Sequence, residues 1–97
     1  MARRIVPTAP PTSPVISDAS SLGSAVRSRR THKGVRIDDA ARECGVSVQL
    51  LSDMEGGKRN VRLDNAIRVA AQFGLSLLVV PSEKAAQIEE LLNGAAA

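Results

Sequence analysis

The stretch GVSVQLL at positions 45–51 constrains this chain more than any other. One amphipathic pattern stops at Gly45, and Ser47, a good acceptor for the free N–H groups at a helix start, opens the next. A connection this short holds the two helices at a fixed mutual angle. Ala41 is small where they cross, and Gly45 permits the conformation the turn requires. Val46, Leu51 and Met54 then anchor the unit from inside, while Val48, Gln49, Ser52 and Asp53 face outward.

The neighbouring segments are also short amphipathic helices. Ser20 or Ser21 is expected to cap the first, whose inner face carries Leu22, Ala25 and Val26 and which ends at Gly34. Ile37, Ala40, Ala41 and Cys44 form the stripe of the second, with Asp38 and Asp39 in its first turn, where carboxylates suit the helix dipole. Leu63, Ala66, Ile67, Ala70 and Phe73 form the stripe of the fourth, which stops at Gly74. The expected fold is mainly α, a compact domain of four to five helices.

Both ends depart from this pattern. Four of the five prolines lie between positions 7 and 14, so residues 1–19 are expected to form a flexible arm. The helix-turn-helix domain spans 20–81, and its last segment, LSLLVVP, has apolar side chains on both faces. That segment reads as a strand over 75–80 through Leu75, Leu77, Leu78, Val79 and Val80. A lone strand leaves its N–H and C=O groups unpaired. The same strand from a second copy is the simplest partner, and the N-terminal arm is the competitor. Residues 82–97 form a short helix, capped by Ser82 and carrying Ile88, Leu91 and Leu92 on one side, with a frayed tail.

Charge narrows the partner. The net charge is +3, but residues 20–81 alone carry +4 and residues 82–97 carry −2, a basic domain suited to a polyanion. A single cysteine excludes an internal disulfide and a multi-cysteine zinc site. No apolar run is long enough to span a membrane and no signal-peptide core is visible, so a soluble, cytoplasmic protein is expected. An enzyme is disfavoured. His32 is the sole histidine, Cys44 lies on an apolar stripe, and no catalytic residues, metal ligands or cofactor cradle stand out. Without Trp or Tyr, single-stranded nucleic acid finds no stacking platform.

Double-stranded DNA fits better. A short helix held at a fixed angle places its N-terminal side chains in a major groove. Gln49 is the expected base reader, since its amide both donates to and accepts from an adenine edge. Val48 suits a thymine methyl group, and Ser47 and Ser52 suit a phosphate or base. Asp53 is expected to sit back from the groove. Arg36, at the start of the second helix, and Lys58 and Arg59, beyond the double glycine, are expected to contact phosphates.

The run GVRIDDAARECGVSVQLLSDMEGGKRNVRLDNAIRVAAQFG resembles the Cro/Xre-type helix-turn-helix family over about residues 20–74. The resemblance implies a lambda-repressor-like domain that binds an inverted-repeat operator as a homodimer. It also implies an ion pair between Arg30, late in the first helix, and Glu55, at the end of the recognition helix. Two positions depart from the family pattern. Ile37 replaces a phosphate-clamping Gln, which shifts weight to Arg36, and Cys44 replaces a Leu of similar volume. LLSDMEGGKR followed by LSLLVV is similar to HipB-type antitoxins. That likeness implies a C-terminal strand paired across the dimer, repression of its own operon, and a HipA-type Ser/Thr kinase toxin as partner. The alternatives are a phage-type or other regulator without a toxin, and an interaction module that has lost operator reading.

Overall fold

In the computed structural model, which describes residues 4–58 and 61–95, five helices follow one another. They are α1 (Ala19–His32), α2 (Ile37–Cys44), α3 (Val48–Glu55), α4 (Leu63–Gln72) and α5 (Ser82–Ala95). α3 packs on both α1 and α2, and α2 packs on α4. The core they enclose is built on Val26, Leu51, Val69 and Phe73, with alanines 40, 41, 66 and 70 letting the backbones approach. Burying a side chain of the larger kind contributes roughly 1.5–3 kcal/mol.

The ends of α1 to α4 share one device. Gly45 adopts the left-handed conformation (φ 72°, ψ 31°), which its lack of a Cβ makes accessible without the clash another residue would suffer. The chain can then turn back, so that Gly45 N–H donates to the Arg42 carbonyl (3.1 Å) and Val46 N–H to the Ala41 carbonyl (3.0 Å). Val35, Lys58 and Leu75 reach back in the same way to the carbonyls of Arg30, Asp53 and Ala70. Val35, Val46 and Leu75 also lay their side chains on the core. Lys58 is the exception: it is charged and exposed.

Three expectations are corrected. Asp18, not Ser20 or Ser21, caps α1, accepting from both the N–H and the hydroxyl of Ser21 at 2.8 Å. A carboxylate there also faces the positive end of the helix dipole. In α4 the buried residues are Ala66, Val69 and Ala70, with Phe73 buried at its C-cap, while Leu63 and Ile67 are 70% and 49% exposed. The helix is thus rotated so that Val69, not Leu63 or Ile67, is its large fully buried side chain, on an α4 that packs against α2. Residues 75–80, including Leu75, Leu77, Leu78, Val79 and Val80, are coil, and no strand occurs among the described residues. A strand exists only as half of a ladder, and none of the described residues pairs with this segment as a strand.

Residues 4–18 run as coil. Thr8 N–H donates to Thr31 Oγ1 (3.0 Å), and the Ser13 hydroxyl donates to the Glu89 carboxylate. The arm therefore touches both α1 and α5.

Candidate nucleic-acid interface

α3 is positioned from both ends. At its start the Ser47 hydroxyl accepts from Leu50 N–H (3.0 Å), so Ser47 is engaged in capping. At its end Glu55 meets Arg30 in a two-pronged pair, Nε to Oε2 at 2.6 Å and Nη2 to Oε1 at 2.8 Å. Both side chains are almost buried, at 10% and 6% exposure. A carboxylate at a helix C-terminus opposes the dipole, and taking it out of water adds to that cost. The bidentate guanidinium offsets both, and it also donates through Nη1 to the Val35 carbonyl (2.9 Å). One arginine thus ties the end of α3 to α1 and to the loop before α2.

A close backbone approach completes the support. A Cβ added at Gly23 of α1 would lie 2.1 Å from the Met54 carbonyl oxygen of α3, so the crossing exists only with glycine there. Sequence reasoning passed over Gly23, because a glycine inside a helical pattern marks a contact only when the opposing helix is known. It also missed Arg29, whose Nε donates to the Phe73 carbonyl (2.9 Å) and so fastens α1 to the end of α4. Arg68 was missed too: one of its guanidinium nitrogens reaches within 4.0 Å of the Cβ position at Gly45.

The exposed side of α3 presents Val48 (46% exposed), Gln49 and Ser52, with Ser47 beside them. Gln49 Nε2 donates to Asp53 Oδ1 (2.8 Å), and Lys58 Nζ lies 3.5 Å from the same oxygen. Gln49, Asp53 and Lys58 therefore form one connected surface row. Arg36 sits apart at the start of α2, exposed, with Nε 3.4 Å from Asp38 Oδ1. Ile37 packs against the core instead of reaching outward. Arg59 lies outside the described residues.

Cys44 is buried, and that burial, with a smaller contribution from the Glu43 charge, pushes its thiol pKa up. The His32 ring nitrogen Nδ1 lies 2.7 Å from the Ser28 carbonyl within the same helix. No group of potential metal ligands occurs among the described residues.

A helix-turn-helix family model matches residues 26–80, more than half of the chain. The chain belongs to the helix-turn-helix family. Members are DNA-binding transcription regulators of the Cro/C1 type, not enzymes. An uncharacterised HTH-type transcriptional regulator of Sinorhizobium fredii, y4mF, is 27% identical over 70 residues, covering 71% of this chain and 92% of that protein. The hypothetical transcription factor NHTF from Neisseria superposes with a TM-score of 0.61 at 25% identity, covering 88% of this chain and 99% of that one. A toxin–antitoxin module from Streptococcus pneumoniae superposes with a TM-score of 0.59 at 31% identity, covering 66% and 70%. No helix among the described residues is long and apolar enough to cross a membrane.

Proposed function

We propose that this regulator acts as a homodimer that recognises an inverted-repeat operator and represses its own operon. We further propose that it is the antitoxin of a HipA-type Ser/Thr kinase. The observation that carries the DNA reading is the exposed first turn of α3, a helix whose opposite end is fixed by the Arg30–Glu55 pair. Gln49 reads a base edge, Val48 packs on a thymine methyl group, and Ser47 and Ser52 contact the backbone or a base. Arg36, Lys58 and Arg59 neutralise phosphates. Lys58 can do this while holding Asp53, because an ammonium has three protons to donate.

Dimerisation falls to residues 75–80. Leu78 is 75% exposed and Val79 fully so, an apolar run that a second copy would cover by pairing strands. The antitoxin role is supported by the likeness to the S. pneumoniae toxin–antitoxin module. Footprinting on the DNA upstream of the gene, with and without the product of any adjoining kinase gene, tests both parts. Two protected half-sites, protected more strongly with the kinase, are expected. Protection that the kinase leaves unchanged would favour a regulator without a toxin, and no protection would favour an interaction module.

A further inference from the structure

Asp53 looks misplaced on a surface that approaches phosphates, yet its carboxylate is the acceptor for the side chain expected to read bases. Residues four apart on a helix face one another, and here that spacing brings Gln49 Nε2 to 2.8 Å from Asp53 Oδ1. An ionised carboxylate only accepts hydrogen bonds, so the amide must turn its nitrogen, not its oxygen, toward Asp53. Lys58 Nζ lies 3.5 Å from the same oxygen, and its backbone N–H donates to the Asp53 carbonyl at 2.9 Å. The lysine keeps the carboxylate partnered and offsets its charge near DNA.

We infer that Asp53 is a positioning residue that sets which bases Gln49 accepts, through the hydrogen bond that orients the Gln49 amide. The inference rests on the proposed reading of Gln49 as a base contact. With its nitrogen held back, Gln49 leads with Oε1, an acceptor. In the major groove adenine offers the N6 amine and cytosine the N4 amine, whereas guanine and thymine present oxygens. Oε1 therefore pairs with an amino base and is repelled by an oxo base. The second Nε2 proton remains free for adenine N7, which ranks adenine above cytosine. Without Asp53 the amide turns over, its nitrogen can lead, and guanine O6 or thymine O4 becomes acceptable.

The test is selection of the full chain on a pool of randomised duplexes, followed by titration of duplexes carrying each base at the Gln49 position. Gln49→Ala identifies that position as the column whose preference it erases. Asp53→Ala is expected to relax the amino-over-oxo preference in that column by roughly fivefold or more, leaving the other columns and the thermal midpoint in place. Asp53→Glu, which keeps a carboxylate four residues on, is expected to retain the preference. A Gln49 column unaltered by Asp53→Ala, or a uniform loss across all columns, overturns the inference while the DNA reading stands. If the unmutated protein enriches no motif, the reading and the inference fall together.

Discussion

Arg30 and Glu55 form a nearly buried ion pair whose loss is expected to be costly. Arg30→Ala would strand a buried carboxylate at the wrong end of a helix dipole, and breaking such a pair costs about 3–5 kcal/mol. That is a large share of the about 5–15 kcal/mol available to a small domain. Urea denaturation should show Arg30→Ala largely destabilised, while the double change Arg30→Met with Glu55→Leu recovers most of the loss. Equal losses in both variants would contradict the account. Gln49→Ala should behave differently, leaving stability intact and costing about 1–3 kcal/mol of binding at one operator position. A loss of the same size on random DNA would remove Gln49 from base reading. The outward placement of Gln49 was legible in the sequence, and so was the i, i+4 spacing to Asp53. The pairing went unread because a carboxylate near DNA suggested withdrawal from the groove, not service to a neighbour.

At the scale of elements, helix ends and helix crossings make separate predictions. Hydrogen bonds from the Ser21 hydroxyl and, secondarily, its N–H hold the Asp18 carboxyl below its ordinary value of 3.8. The unfolded chain therefore takes up this proton first as pH falls, so the cap stabilises α1 above that value and is lost as pH drops through the lower folded one. Amide exchange in the first turn of α1 should accelerate over that acid range. Asp18→Asn, which caps without titrating, should remove the dependence; an unchanged profile would place its origin elsewhere. At the crossing of α1 and α3, Gly23→Ala drives a methyl group into a backbone carbonyl, and overpacking of that kind costs about 1–3 kcal/mol. Gly94→Ala in α5 meets open space and should gain up to about 1 kcal/mol of helix propensity. Thermal midpoints moving in opposite directions would bear this out, and a neutral Gly23→Ala would mean the helices cross less closely. Helix stops at glycines 34, 45 and 74 could be read from sequence, because glycine with an aliphatic residue after it is a local signal. The face of α4 could not. Leu63, Ile67 and Val69 are all strongly apolar, and which of them turns inward depends on tertiary packing that the helix's own periodicity does not contain.

The whole molecule is a small helical core followed by a largely apolar coil, residues 75–80, in which Leu78 and Val79 lie open to solvent. The proposal gives that run to a second copy, where a ladder would satisfy backbone groups that one copy leaves without a sheet. Leu78→Pro removes a ladder donor and should yield monomer in sedimentation; a persistent dimer would locate the contact elsewhere. The strand expected from sequence is coil in the single chain because β structure is a property of pairs, and composition shows propensity without supplying a neighbour. Replacing Lys58 and Arg59 together with Ala should weaken all duplexes alike and reduce the salt slope by about one for each phosphate no longer neutralised. The most direct measurement is titration of the full chain onto an inverted-repeat duplex from its own upstream DNA, against a scrambled duplex, at rising salt. The account predicts two chains per duplex, a clear preference for the native repeat, and log affinity falling linearly with log salt. One chain per duplex, equal affinity for both sequences, or no response to salt would contradict it.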